Sequence, residues 1–257
     1  MTLLIVFGSV HSSLVSASTI QGGQMIINFD RDALAGAFTH DNDPNRPAFY
    51  VEEFFDSSAA AIRTGGQILS DHIIPGVGEI TATGLQFQIN GTTVNNLPRR
   101  ENQPTTLQFD PADLTGTVQG AIGLTGLVRY RLDIPFRVSP TGEEEGNRIV
   151  SGDYSLQFDK NRVTEAHSGW YLLNHYGFLS NTYDLDNVLS IISGNTLTLS
   201  GDIAFAEGTS HFGAQLGAVV GDFTLQTTVV PLPAAVWFLF TGLASLSVFR
   251  GRKNELL

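Results

Sequence analysis

Polar and apolar residues alternate along much of this chain. Between 128 and 138, Val128, Tyr130, Leu132, Ile134, Phe136 and Val138 are apolar, with Arg129, Arg131, Asp133, Pro135 and Arg137 between them. Period two with one polar face predicts a half-buried strand. Pro135 cannot donate to a ladder, so it predicts an edge or a bulge. Further strands are expected near Met25–Phe29, Ile149–Phe158, Gly169–Leu173, Gly201–Ala206 and Phe223–Val230. Two turns carry hairpin chemistry: Asn90-Gly91 after Gln86-Phe87-Gln88-Ile89, and Gly194-Asn195 between Ser190–Ser193 and Thr196–Leu199. Asn-Gly accepts positive φ at both turn positions.

One stretch has a different rhythm. Val51, Phe55, Ala59 and Ile62 recur at helical spacing, which predicts a helix from Phe49 to Arg63 closed by Gly65-Gly66. Asp32 to Phe38 predicts a further short turn. The pattern as a whole gives a mainly β fold, a β-sandwich or jelly roll with one or two short peripheral helices.

The two ends differ from this pattern. Leu3 to Val10 is a short apolar run, and Val15-Ser16-Ala17 follows with the small residues a signal peptidase reads. Residues 1–17 are therefore expected to be a signal peptide cleaved before Ser18. No Lys or Arg precedes the run, so a basic segment is expected upstream of Met1. At the other end no charge falls between Asp222 and Arg250. Residues 232–249 would make a helix of about 27 Å, enough to cross the hydrocarbon core. Trp237 suits the headgroup zone. Arg250, Arg252 and Lys253 are expected to stay cytoplasmic. The order is thus a signal (1–17), an extracytoplasmic β domain (18–229) and a tail (230–257) with its basic end at 250–257.

The string Val230-Pro231-Leu232-Pro233-Ala234-Ala235-Val236-Trp237, then an apolar segment, then Arg250, Arg252 and Lys253, resembles the PEP-CTERM sorting domain in its Val-Pro-x-Pro-Ala variant. Leu232 stands where the founding variant has Glu. The resemblance covers the tail alone. It implies export in a Gram-negative bacterium that makes exopolysaccharide, anchoring in the inner membrane, and processing by an exosortase after signal peptidase. Delivery to the cell surface or extracellular matrix would follow.

Composition narrows the partners. Setting aside Glu255 and the three tail cations, residues 18–229 hold 24 acidic and 11 basic residues, a net charge of −13. Such a surface repels nucleic acid and anionic headgroups. It suits cations or neutral polymers. With no cysteine, disulfides, thiol catalysis and zinc-thiolate sites are excluded.

Catalytic motifs are absent: no Gly-x-Ser-x-Gly, no His-Glu-x-x-His and no P-loop. Ser210-His211 are neighbours in sequence, but a triad is set by geometry in space. Glu52, Glu53, Asp71 and Glu79 could serve glycoside hydrolysis, which needs two facing carboxylates, yet no spacing selects a pair. No cofactor motif is present. Calcium is the metal the sequence could bind, at Asp41, Asp43 and Asn45, or at Asp184 and Asp186. Trp170-Tyr171 and His175-Tyr176 could form a sugar platform, or pack as core and cross-strand pairs. The leading expectation is a non-enzymatic surface or matrix protein. A carbohydrate-binding module and a secreted polysaccharide hydrolase are the alternatives.

Overall fold

The computed structural model describes residues 17–38, 49–72, 78–132, 137–138, 144–145 and 148–231. The elements of the first half are β1 (Ser18–Phe29), α1 (Arg31–Gly36), β2 (Phe49–Phe55), α2 (Ser57–Ala61), α3 (Gly65–Ser70), β3 (Leu85–Ile89), β4 (Gln108–Phe109) and α4 (Leu114–Thr117). Then come β5 (Ile122–Thr125), β6 (Leu127–Leu132), β7 (Arg137–Val138), β8 (Glu144–Glu145), β9 (Arg148–Gly152) and β10 (Ser155–Phe158). The last four are β11 (Trp170–Asn174), β12 (Ser180–Ser193), β13 (Thr196–Phe205) and β14 (Val219–Pro231).

The fold is mainly β, as expected, but it is a closed barrel and not a sandwich. Eight strands run antiparallel in the cyclic order β1-β3-β5-β10-β11-β12-β13-β14. The ring closes because β14 pairs with β1 from Ser18–Pro231 to Phe29–Gly221. Alternation within a strand reports which face is buried; it does not report whether the first and last strands meet. That pairing joins residues about two hundred positions apart, and no local pattern encodes it.

An eight-stranded ring has an interior that side chains can fill. Met25, Ile27, Phe29, Phe87, Leu124, Leu156, Leu172, Leu185, Leu199 and Leu225 fill it, all at most 3% exposed. Tyr130, Tyr154 and Tyr183 also lie inside. Tyr130 and Tyr183 share a hydroxyl hydrogen bond, and Tyr154 pairs with Ser151 Oγ at 2.6 Å. Burial pushes all three phenols above their ordinary pKa.

A second sheet, β2-β6-β9, grows out of the barrel. β5 and β10 are adjacent barrel strands, and they continue as β6 and β9. The chain bends outward at Gly126 (φ 148°) and Gly152 (φ 155°), where an added Cβ would strike Phe87 and the Gly126 carbonyl. The inner face of this sheet, with Phe49, Val51, Val128 and Tyr130, joins the barrel core beside Leu34 and Phe38 of the α1 region. Phe49 stacks between Phe38 and Tyr130. The outer face forms a second small core: Phe55, Leu127 and Val150 pack on Ala60 of α2 and Ile68 of α3.

The helix expected over Phe49–Arg63 is corrected by β2. A bulge between Val51 and Glu53 shifts the register opposite β6. Phe49, Val51 and Phe54 consequently face the barrel core, while Phe55 faces α2. The bulge breaks period two and imitates a helical spacing. Gly65 opens α3 and does not close a helix, because Thr64 and Gln67 form a capping box there. The Gly194-Asn195 hairpin is present, with Ser193 opposite Thr196. The Asn90-Gly91 hairpin is not. The Asn90 amide donates to the Gln103 carbonyl and accepts from Thr125 Oγ1, and β3 pairs instead with β1 and β5.

The seam offers a direct test. Gly23 has φ 133°, and a Cβ there would sit 2.0 Å from the Gln226 carbonyl oxygen, whereas Gly22 faces open space. Gly23→Ala is expected to destabilise by about 2 kcal/mol or more in urea unfolding, and Gly22→Ala to stay within about 0.5 kcal/mol.

Candidate functional site

The bulge in β2 also positions charge. It turns Glu52 and Glu53 toward the same layer, where both are buried beneath α3. Arg129, on the next strand, is fully buried. Its Nε donates to Glu52 Oε2 at 2.7 Å and its Nη2 to Glu53. Its Nη1 donates to the carbonyls of Ile68 and Asp71, which lie at the C-terminal end of α3. Arg148 grips Glu52 with two bonds of 2.8 Å, and Arg131 adds a third guanidinium at 3.1 Å. His72 lies beside both carboxylates at 3.5 and 3.6 Å. Burial alone would raise the Glu52 carboxyl; the guanidiniums of Arg148, Arg129 and Arg131 outweigh it and hold its pKa below the usual range. A carboxylate held this way is not a proton donor.

A matching device sits at the bend. Arg100, also fully buried, pairs with both oxygens of Asp153 at 2.7 and 2.8 Å. Its Nη1 donates to the carbonyls of Ala60 and Arg63 at the end of α2. Burial pushes the Asp153 carboxyl up, against the pull of Arg100. Behind this loop Ser155 Oγ lies 2.8 Å from His175 Nε2. Burial lowers the His175 pKa, and its Nδ1 has no hydrogen-bond partner. With Ser155 at 1% and His175 at 7% exposure, this pair has no access to a substrate.

The residues singled out in the sequence separate as follows. Asp41, Asp43 and Asn45 lie outside the described residues, as do Leu232, Pro233, Ala234, Ala235, Trp237, Arg250, Arg252 and Lys253. Val230 and Pro231 are the end of β14. Glu79 is bound to Arg31 at 2.6 and 3.1 Å, and Asp71 is exposed. Asp184 pairs with Arg162 and Asp186 with His167; no group of three metal-binding side chains occurs among the described residues. Trp170 is buried, and Arg162 covers the Tyr171 ring at 4.9 Å. Tyr176 bonds the Gly65 carbonyl. Neither aromatic pair presents a platform. Ser210 bonds back to the Glu207 carbonyl.

Two clefts have a different character. One, of about 390 Å³, runs over the outer face of β13, β14, β1 and β3, lined by Gly23, Gln24, Gln88, Thr196, Gln226 and Thr228. The other, of about 270 Å³, is lined by Gln88, Asn90, Asn95, Asn102 and Thr125, with Arg100 at its base. They meet at Gln88. Cross-strand register aligns Thr198, Gln226, Gln24, Gln88 and Thr125 in one row. The charges of this face collect toward its other end, where Asp186, Asp202 and Asp222 stand in register. A further cleft of about 490 Å³ between α1, β2 and residues 79–83 has the Arg31–Glu79 pair in its wall. None of these three clefts is lined by two carboxylates.

The geometry therefore defines a filled, closed antiparallel barrel with a buttressing sheet and an uncharged polar track on its outside. Comparison with family models, curated proteins and solved structures found no match for this chain.

Sequence reading missed both buried arginines, the Ser155–His175 pair and the amide track. The track had a signal. Gln86 and Gln88, Thr196 and Thr198, and Thr224, Gln226 and Thr228 are uncharged polar residues at successive alternate positions, with charge returning at Asp202 and Asp222.

Arg129→Met removes the cation shared by Glu52, Glu53 and the Ile68 and Asp71 carbonyls, although Glu52 keeps Arg148 and Arg131. It is expected to cost about 3–5 kcal/mol in denaturant unfolding. Because the Glu52 pKa is depressed on folding, its contribution is present above the unfolded value of about 4.3 and is lost as pH falls through the folded one. Stability measured from pH 5 downward should decline in the wild type, and Glu52→Gln should flatten that decline.

Proposed function

We propose that this protein is exported, held at the inner membrane by its tail, sorted by an exosortase and delivered to the cell surface or extracellular matrix, where it acts without catalysis. The observation that carries the reading is an agreement of limits. The first barrel strand starts at Ser18, the residue after the expected signal cleavage. The last barrel strand runs at least to Pro231, inside the Val-Pro-x-Pro string. Ser18 and Pro231 are partners in one ladder, so the strand that follows the expected signal and the strand that enters the tail lie side by side. Signal and tail would leave from the same pole, which would face the membrane until processing.

The surface supports the same reading. The clefts offer no pair of carboxylates for hydrolysis, the charge of residues 18–229 opposes anionic partners, and the uncharged track suits a neutral polymer. The exosortase would take its motif at the rim of the barrel, since Val230 and Pro231 belong to β14.

Pro231→Ala with Pro233→Ala leaves the apolar segment and its basic end intact. In an exosortase-bearing host, the wild type is expected in the extracellular fraction, shortened. The double variant is expected in the membrane pellet at greater length, read by fractionation and immunoblot. A wild-type protein that stays in the pellet with its tail uncut would overturn the proposal.

A further inference from the structure

We propose that the amide track over β13, β14, β1 and β3 is a binding site for an extended, uncharged polysaccharide chain. The inference rests on the reading that the protein meets exopolysaccharide, and names the surface and the charge class.

The track is continuous. It begins at Thr198 and Gln226, passes Gln24 to Gln88, and enters the second cleft at Asn90 and Asn102. Strands stand about 4.8 Å apart, so the side chains from Thr198 to Gln88 repeat evenly over about 14 Å. An amide offers donors and an acceptor together, which is what a chain of hydroxyls requires. Gly23 lines the groove without a side chain, next to the bulge between Ile20 and Gly22. Gln88 Nε2 donates to the Gly23 carbonyl at 2.7 Å, which fixes one amide across the floor.

An apolar margin continues the row. Ile191 pairs with Thr198, and Leu189 with Ser200 next to it. These side chains are 61% and 68% exposed. Sugar rings carry C–H faces as well as hydroxyl edges, so apolar residues beside amides fit both. Charge selects further. In a chain with 39 formally charged residues, the row carries none, and the one cation at the second cleft, Arg100, is committed to Asp153. Asp186, Asp202 and Asp222 border the face, and their field disfavours uronate or phosphate polymers. A shallow, open groove suits an extended strand of glycan better than a compact small molecule, which binds in enclosed pockets.

Affinity electrophoresis of the full chain in detergent micelles tests this. The gels carry hydroxyethylcellulose or galactomannan as neutral polymers, or polygalacturonate as the anionic one. Retardation is expected with at least one neutral polymer and not with polygalacturonate. Gln24→Ala with Gln226→Ala should weaken the neutral retardation at least tenfold, while Lys160→Ala, away from the row, should not change it. Both sites are on the outer face, and an unchanged thermal midpoint verifies the fold. The proposal is overturned if neither neutral polymer retards the wild type, if the folded double variant is retarded equally, or if polygalacturonate binds as well. None of these results depends on the tail, so the sorting proposal stands or falls by fractionation alone.

Discussion

A guanidinium removed from water must recover its hydration from fixed acceptors, or the fold that buries it does not form. Arg100 and Arg129 are both fully buried, and each recovers it in the same way, from carboxylate oxygens on one side and the end carbonyls of a short helix on the other. Helices as short as α2 and α3 have no stability of their own. Their last carbonyls also lack intrahelical partners. One cation per helix supplies those partners and complements the helix dipole. The acids that balance the cations come from the bulge in β2 and the bend at Asp153. The second sheet, the helix layer and the exit from the barrel are thus fastened together at two points.

This arrangement divides the molecule into a filled barrel and a buttress. Among the described residues, the barrel interior is occupied by its own Leu, Ile, Phe and Tyr side chains, and the cavity bordered by Phe38, Phe49, Tyr130, Tyr183 and Phe205 holds about 30 Å³. The internal tyrosines are neutral and bonded within the core, and Ser155 and His175 are closed under a loop. On the outside β1, β13 and β14 are long, and their outward positions between the two poles are largely Thr, Ser, Asn and Gln.

The legible part of the fold was the local part. β1, β9, β10, β11, β13 and β14 lie where alternation placed strands, and the β12–β13 turn follows its Gly194-Asn195 signal. The errors came from elements with long-range causes. The β2 bulge changes parity because Arg129 and the second core demand it, and the spacing then mimics a helix. Asn90 had turn chemistry, but its amide joins two segments distant in sequence. Closure of the ring depends on partners at opposite ends of the chain. Arg129 looked like a solvated residue on a polar face, since nothing nearby announces the α3 carbonyls above it. The amide rows were visible as composition, yet only the register shows that they align.

The seam between β1 and β14 has a consequence for the order of events in folding. β14 is the last barrel strand to be synthesised, and β1 is the first. Until residues 219–231 emerge, Ser18–Phe29 lacks its partner and exposes an unpaired edge of the kind that recruits other chains. Contacts of this sequence separation form slowly. A nascent chain must therefore carry an open, sticky sheet through most of its synthesis, and a chaperone that shields strand edges would serve it until the ring shuts.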